Sequence, residues 1–237
     1  MERNEVYDLL RAQGALTVDM WENFNRGNPE ILYASENAVY MVHDAGVHML
    51  WATDRESVEK VLDLYPEPAR VCVVHTKPVY YAYTERYGIH CKEQFCMQYC
   101  YSKGTHLPVS GNCEFRMMTD DDIPFLQEHY KLSNDTEYLK SRIAAGIIWG
   151  AYIDGKCAGF IGGHREGSIG MLEVLPEYRR RGIGTDLENF QMNRFIDRGL
   201  VPYGQVYIDN DGSHALQQKS GLEMSSDIIC WVAPDKK

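Results

Sequence analysis

The stretch LPEYRRRGIGTDL, residues 175–187, places three consecutive arginines directly before Gly-Ile-Gly. A strand-like run, SIGMLEVL, precedes it and the helical pattern TDLENFQMNRFIDR continues from it, so the predicted order is strand, glycine loop, helix. Amides in the first turn of a helix have no carbonyl partner and carry the positive end of the helix dipole. The stretch therefore predicts an anion site, where Gly182 and Gly184 allow a pyrophosphate to approach the main chain.

Other anion-binding patterns fit this stretch less well. A kinase-type phosphate loop ends in Gly-Lys-Ser/Thr and the dinucleotide fingerprint has a third glycine, and neither pattern is met here. Nucleic acid binding through the arginines is an alternative. However, the chain of 237 residues has a formal net charge of -10, which repels polyanions over most of the surface. We therefore expect a smaller anion and no nucleic acid partner.

Length and composition indicate the class of protein. A chain of 237 residues can bury two modest cores, so we expect two lobes. The sequence shows neither a signal peptide nor a long apolar run, which predicts a soluble cytoplasmic protein without a membrane partner. The seven cysteines form an odd set without zinc-ribbon spacing, and this favours reduced thiols over disulfides.

A metal site is an alternative interpretation of one segment, whose possible ligands are His90, Cys91, Cys96, Cys100 and His106. On a strand, Cys96 and Cys100 share one face whereas Cys91 points to the other. A four-ligand cluster would need a break in that strand. We therefore expect no bound metal and cysteines that pack as small hydrophobic residues.

The order of predicted elements indicates a mixed α/β chain. In the first part, strands flank the turn Asp44-Ala45-Gly46, and Asp54 precedes a helical pattern that it can cap. The segment 103–112, KGTHLPVSGN, collects Gly, Pro, Ser and Asn and shows little periodicity. It predicts a boundary between an N-terminal lobe, 1–107, and a C-terminal lobe, 113–237.

Two motifs, in the right order, resemble the signatures of the GCN5-related N-acetyltransferase (GNAT) superfamily. Arg179-x-x-Gly182-x-Gly184 after VLPEY resembles the coenzyme A loop of that family. The later NDGSHALQQKSGL resembles its second signature, through Asn210, Ser213, Leu216, Lys219, Gly221 and Leu222. The resemblance covers approximately residues 114–232, and LPEYR with GLVPYGQVYIDND is most similar to the glycine N-acyltransferase-like branch.

This resemblance implies the GNAT fold, a central mixed and mostly antiparallel sheet flanked by helices, in two tandem lobes. Lobe 113–237 would be catalytic, and lobe 1–107 would be a degenerate copy that covers the amine side. Because the first lobe lacks a glycine-rich loop, we expect one coenzyme site per chain.

The resemblance also implies the reaction, which is transfer of an acyl group, most often acetyl, from acyl-coenzyme A to a primary amine. Val174 and Leu175 would offer backbone groups to the pantetheine arm. Asn210 and Ser213 would line the second side of the cleft. The pyrophosphate would be held by the main chain of Arg180, Arg181, Gly182, Ile183, Gly184 and Thr185, with Arg179 and Arg181 as side-chain partners.

Direct attack by an amine requires a base for the ammonium group and a proton donor for the departing thiolate. The family's usual tyrosine acid is replaced here by Gln217, so Tyr207 is the candidate acid, with core packing as its alternative role. Glu173 is the candidate base, with ammonium pairing or a structural role as alternatives. Glu166 lies nearby, and the usual carboxylate position of the branch falls near Ser168.

The expected protein is thus an acyl-coenzyme A dependent N-acyltransferase, a monomer or homodimer. Its expected acceptor is a small-molecule amine, such as an amino acid. The alternative is a catalytically inactive protein that binds or senses acyl-coenzyme A, because Gln217 cannot serve as the acid.

Overall fold

The computed structural model describes residues 1–90, 94–130 and 135–234. These residues form two compact units. The first unit consists of Met1–Cys100, Gln205–His214 and the described residues from Leu222 onward, and the second of Tyr101–Gly204 and Ala215–Gly221. No helix in the described ranges is both long and apolar enough to cross a membrane.

The first unit starts with two helices and continues as a strand meander. The helices are α1 (Arg3–Arg11) and α2 (Val18–Arg26). The antiparallel meander consists of β1 (Glu30–Ser35), β2 (Ala38–Val42) and β3 (His48–Ala52). Helix α3 (Arg55–Leu64) connects β3 to the parallel strand β4 (Cys72–His75), and α4 (Lys77–Tyr87) connects β4 to β5 (Phe95–Cys100).

After one additional strand, the remaining elements repeat this order. Strand β6 (Glu114–Met117) precedes helices α5 (Ile123–His129) and α6 (Thr136–Ala144). Strands β7 (Trp149–Ile153), β8 (Lys156–Gly163) and β9 (Ile169–Val174) continue the antiparallel ladder from β6. The last elements are α7 (Ile183–Ile196), β10 (Tyr203–Tyr207), α8 (Asp211–Lys219) and β11 (Glu223–Val232).

Both halves of the chain therefore contain two helices, three meandering strands, a helix, a parallel strand, a helix and a final strand. This order confirms the predicted mixed sheet with flanking helices and the tandem arrangement. The final strand, β11, lies in the first unit, where it pairs antiparallel with β4 on one side and with β5 on the other. The first compact unit therefore includes the last strand of the chain. The lobes 1–107 and 113–237 remain a prediction about domains.

Each unit has its own apolar core. In the first unit, fully buried side chains such as Leu50, Val58 and Val74 join the sheet to helices α3 and α4. In the second unit, one cluster around Phe160 packs beneath α5 and α6, and another around Leu187 packs beneath α7. These cores fix the strand that leads into the arginine stretch and the helix that follows it.

The first unit also contains a fully buried polar network. His75 Nε2 lies 2.9 and 3.0 Å from the two carboxylate oxygens of Asp19, and His75 Nδ1 lies 3.1 Å from the carbonyl oxygen of Leu50. Gln98 Nε2 donates to Asp19 Oδ1 at 2.9 Å and to the carbonyl oxygen of Leu16 at 2.8 Å. Because buried polar groups are costly without partners, this network contributes to the uniqueness of the fold.

Local sequence signals predicted most of these elements. The Asp44-Ala45-Gly46 turn joins β2 to β3, and the Asp54 carboxylate accepts from Ser57 N at 2.8 Å at the start of α3. Sequence reasoning missed α2, β1 and α6. Residues 103–112 contain no helix or strand in the structure, as their composition indicated.

Candidate functional site

The arginine stretch forms a turn between β9 and α7 in the second unit. After β9 ends at Val174, a single 3₁₀ turn covers Pro176–Tyr178. Gly182 is the N-cap of α7, with φ of 84° and no side chain to cap the helix. The first helical bond is donated by Asp186 N to Gly182 O at 3.0 Å, so the preceding amides of the first turn lie before the bonded part of the helix. The order strand, glycine loop, helix is confirmed.

The three arginines of this turn are exposed and carry uncompensated charge. Arg179 Nε donates to the carbonyl oxygen of Val174 at 2.9 Å, and the Arg181 guanidinium lies 5.6 Å from the centroid of the Tyr178 ring. Arg180 has a φ of 60°, in the left-handed region. Within the described residues, none of the three makes an ion pair. Three unpaired cations beside a helix N-terminus create a strong local attraction for anions.

The two glycines of the turn have different roles. A Cβ at Gly182 would meet nothing within 4 Å, but its positive φ favours glycine. A Cβ at Gly184 would contact Val174 Cγ2 at 3.5 Å and Leu216 Cδ2 at 4.0 Å, which are ordinary packing distances. Gly182 therefore shapes the turn, while Gly184 lies beneath it, where the helix packs against its neighbours.

The equivalent helix of the first half, α3, differs at its N-terminus. Its N-cap is Asp54, whose carboxylate accepts from Ser57 N at 2.8 Å and from Thr53 Oγ1 at 2.7 Å. Hydrogen bonding to Ser57 N lowers the pKa of this carboxyl. The anion position of α3 is thus filled by the chain's own carboxylate, whereas that of α7 has no acidic cap.

Strand β9 has one backbone edge that is largely free of strand pairing. It pairs with β8 along most of its length, but its described ladder with β10 has one residue pair, Ile169 with Gly204. At the end of β9, the carbonyl oxygen of Val174 accepts from Arg179, and Leu175 N donates to Ala158 O at 2.9 Å. A ligand that bonds to these groups would share Val174 O with Arg179 and Leu175 N with β8.

The candidate carboxylates lie at opposite ends of β9. Glu173 is half-buried and pairs with Phe160 of β8 through the backbone register. Glu166 lies in the β8–β9 turn and is 5% exposed; Ser168 Oγ donates to its carboxylate at 2.5 Å. Tyr203 OH donates to the carbonyl oxygen of Glu166 at 2.6 Å. The structure therefore brings together Glu166 and Ser168, while Glu173 stands apart from them along the strand.

The candidate acid and the second-signature residues Asn210 and Ser213 lie in the first unit. Tyr207 is 36% exposed, and burial raises the pKa of its phenol. Asn210 Oδ1 accepts from Ser213 N at 3.1 Å and so caps α8. His214 Nδ1 lies 2.7 Å from the Tyr99 hydroxyl. Sequence reasoning missed His214, and the only signal for this residue was its position within the second signature.

Gln217, which stands where the family has a tyrosine, is buried in the second unit. Its Nε2 donates to the carboxyl oxygen Oε1 of Glu188 on α7. Glu188 is 3% exposed, and burial raises its pKa from 4.5 to about 7, against smaller lowering effects of Gln217 and Ser220. Sequence reasoning missed Glu188, because an isolated glutamate on an amphipathic helix is usually exposed.

The cysteine-rich segment shows no metal-binding cluster within the described residues. Cys96 and Cys100 are buried free thiols in β5, and burial raises the pKa of each to about 12. Cys91 lies outside the described residues. The absence of a bound metal stays a prediction.

Comparisons with known proteins agree with this geometry. Residues 115–222 match the family model described as acetyltransferase (GNAT) family. A solved structure of a Drosophila protein is similar over 96% of this chain and 93% of its own, with a TM-score of 0.64 and 15% identity. A GNAT-family acetyltransferase from Colwellia psychrerythraea aligns over 97% and 96%, with a TM-score of 0.55 and 12% identity. A GCN5-related N-acetyltransferase from Kribbella flavida aligns over 96% of both chains, with a TM-score of 0.53 and 10% identity. A comparison with curated proteins gives no match.

The chain therefore has the GNAT fold, and the structural similarity extends well beyond the segment that the family model covers. Within that fold, residues 115–222 match the acetyltransferase (GNAT) family model. The turn between β9 and α7 lies inside this segment.

Proposed function

We propose that the protein is an acyl-coenzyme A dependent N-acyltransferase. Its donor substrate is acetyl-coenzyme A or another acyl-coenzyme A, and its acceptor is the primary amine of a small molecule. The match of residues 115–222 to the acetyltransferase (GNAT) family model supports the class of reaction.

The observation that carries this proposal is the start of α7. A glycine N-cap, free first-turn amides and three arginines without ion pairs in the described residues favour a multiply charged anion such as a pyrophosphate. In the proposed arrangement the main chain of residues 180–185 binds the pyrophosphate, and Arg179 and Arg181 pair with it. Val174 and Leu175 contact the pantetheine arm, and Asn210 and Ser213 contribute from the second signature.

The proposed reaction is a direct attack. Glu173 accepts a proton from the ammonium group, and the neutral amine adds to the thioester carbonyl carbon. Breaking of the carbon–sulfur bond then releases the coenzyme A thiolate. The Tyr207 phenol donates the proton that completes the free thiol, which is consistent with a raised pKa that keeps the phenol protonated at neutral pH. As the amide forms, its nitrogen loses a second proton, and this proton restores the Tyr207 phenol.

The finer assignment follows the resemblance in the LPEYR and GLVPYGQVYIDND segments. We place the protein near the glycine N-acyltransferase-like branch, with an amino acid or related metabolite as acceptor. Lobe 113–237 would carry the chemistry, and lobe 1–107 would be the degenerate copy. The Asp54 cap of α3 supports one coenzyme site per chain, because a carboxylate already occupies that helix N-terminus. We further propose a cytoplasmic monomer or homodimer.

A second candidate function is acyl-coenzyme A binding or sensing without catalysis. The specific observation in its favour is Gln217, which is buried against Glu188 and has no acidic proton to donate to a thiolate. Both functions use the same anion site. They therefore predict the same binding of acyl-coenzyme A, but only the acyltransferase transfers the acyl group to an amine.

The test is acetyl-coenzyme A binding by Gly182→Asp, measured by calorimetry. A carboxylate at the N-cap repels the pyrophosphate, so we expect binding to be lost while the fold is kept. The matched control is Gly155→Asp, since Gly155 also has a positive φ, of 76°, and open space around a Cβ. Each substitution strains a left-handed residue by about 1 kcal/mol. Equal affinity of the two variants would contradict the assignment of the anion site.

Turnover separates the two functions. With acetyl-coenzyme A and a panel of amines, an acyltransferase releases free thiol only when an accepted amine is present. Saturable binding without amine-dependent thiol release would instead support the sensing function.

A further inference from the structure

The buried carboxyl of Glu188 has no role in the proposed reaction, yet it lies on the helix that begins at the proposed pyrophosphate site. It is five residues beyond the first residue of α7, which is about 8 Å along the helix axis. Leu187, its neighbour, faces the core beneath α7. Glu188 therefore lies in the interior of the second unit, on the element that presents the anion site.

The partners of Glu188 are polar but uncharged. Oε1 accepts from Gln217 of α8, and burial and the Gln217 and Ser220 side chains are the causes of its altered pKa. Other titratable groups occur on the strands packed against α7 and on α8, but none contributes to that change: Tyr152, Lys156, Cys157, Glu173, Asp211, His214 and Lys219. A buried carboxylate without a cation is strongly disfavoured.

Two buried atoms next to this contact are without partners. Within the described residues, Glu188 Oε2 and Ser220 Oγ each lack a hydrogen-bond partner. A carboxylate oxygen only accepts, whereas a protonated carboxyl can also donate. The neutral form can join these groups without a buried charge, with Gln217 donating to Oε1 and Oε2 donating to Ser220 Oγ.

We propose that Glu188 is a positioning residue for the acyl-coenzyme A site, which as a neutral acid holds α7 to the 215–221 segment through Gln217 and Ser220. This inference rests on the proposed function, because it assigns the start of α7 to acyl-coenzyme A. Ionisation of Glu188 places an uncompensated negative charge on the helix that binds the anion, and this weakens acyl-coenzyme A binding.

The positioning role of Glu188 can be tested by substitution, because a glutamine side chain mimics the protonated carboxyl group. In Glu188→Gln the side-chain oxygen still accepts from Gln217, and the amide donates to Ser220 at every pH. We expect wild-type affinity for acetyl-coenzyme A to fall on the order of tenfold relative to Glu188→Gln between pH 6 and pH 8.5, from repulsion by an ionised Glu188 through the protein. Ionisation of the ligand itself affects both proteins equally.

The measurement is calorimetric titration with acetyl-coenzyme A across this pH range. Glu128→Gln is the matched control, because Glu128 is an exposed glutamate on α5 of the same unit, and it should follow the wild type. Gln217→Leu removes a hydrogen bond that lowers the pKa of Glu188, so its loss of affinity should occur at higher pH. Infrared difference spectra should show a protonated-carboxyl band that wild type loses on ionisation and Glu188→Gln lacks throughout.

The possible results separate the two proposals. If wild type and Glu188→Gln bind acetyl-coenzyme A with parallel pH dependence, the positioning role is wrong and the proposed function stands. If neither protein binds acetyl-coenzyme A at any pH, the proposed function is wrong, and the positioning role falls with it. If the protonated-carboxyl band is absent from wild type at pH 6, Glu188 is not a neutral acid and the positioning role is wrong.

Discussion

Replacing Glu188 with glutamine should change how stability depends on pH. Burial raises the pKa of this carboxyl from 4.5 to about 7 in the folded protein. Below pH 4.5 the carboxyl is protonated in both the folded and the unfolded states. As the pH rises, the unfolded chain releases the proton first, so the stability that the neutral acid contributes is lost progressively up to about pH 7.

The size of this effect follows from the two pKa values. At 1.36 kcal/mol for each pKa unit, the change from 4.5 to about 7 corresponds to about 3 kcal/mol. Screening by solvent is small, because Glu188 is 3% exposed. A loss of this size is a large part of the 5–15 kcal/mol that is typical of a folded domain.

Urea unfolding of wild type and Glu188→Gln at several pH values between 4.5 and 7.5 measures this effect. The free energy of unfolding of wild type should fall by about 3 kcal/mol relative to the variant over that range. Glu128→Gln should follow wild type, because its side chain is exposed. Parallel curves for wild type and Glu188→Gln would mean that Glu188 ionises alike in the folded and unfolded states, and would contradict the raised pKa.

Three further substitutions test the account of the fold. Asp54→Ala removes the N-cap of α3 and should lower the free energy of unfolding by about 1 kcal/mol in urea titrations; an unchanged value would contradict the cap. Leu187→Ala removes a fully buried side chain beneath α7, so a loss of about 2–5 kcal/mol is expected, and a loss below 1 kcal/mol would show that the site is loosely packed. Asp19→Ala leaves His75 and Gln98 without their shared partner, and thermal and urea unfolding should show a loss of about 3–5 kcal/mol; near-neutrality would mean that the network relaxes freely.

The parts of the structure that sequence predicted are those with local causes. The start of α7 depends on Gly182 and the periodic residues that follow it, and the start of α3 depends on Asp54. Both signals lie within a few residues of the feature that they specify. The family resemblance of the arginine stretch is likewise carried by adjacent residues, and the family model matches the same region.

The parts that sequence missed depend on contacts between distant residues. Nothing local in β11 indicates that it pairs with β4 and β5, more than a hundred residues earlier. Glu188 is buried because the 215–221 segment supplies Gln217, and no helical pattern reveals that partner. Asp19 and His75 are likewise distant in sequence, and they form their hydrogen bond only when the first unit has folded.

The chemistry at the site is more weakly specified by sequence than its anion-binding turn. A glycine cap and free amides act through the backbone, which a short motif determines. Proton transfer depends on which side chains face the reacting atoms. The candidates are Glu166 and Glu173 in the second unit and Tyr207 and His214 in the first. Activity profiles of single variants at these four positions are the direct route to the acid and the base.

The central claim is that the acyl group moves from coenzyme A to an amine. The most direct measurement uses acetyl-coenzyme A with an isotope-labelled acetyl group, a panel of amino acids and related amines, and mass spectrometry of the products. The account predicts a labelled N-acetyl product formed in equal amount with free coenzyme A, and no product with Gly182→Asp. Binding of acetyl-coenzyme A with no labelled amide from any amine, or release of labelled acetate alone, would contradict it.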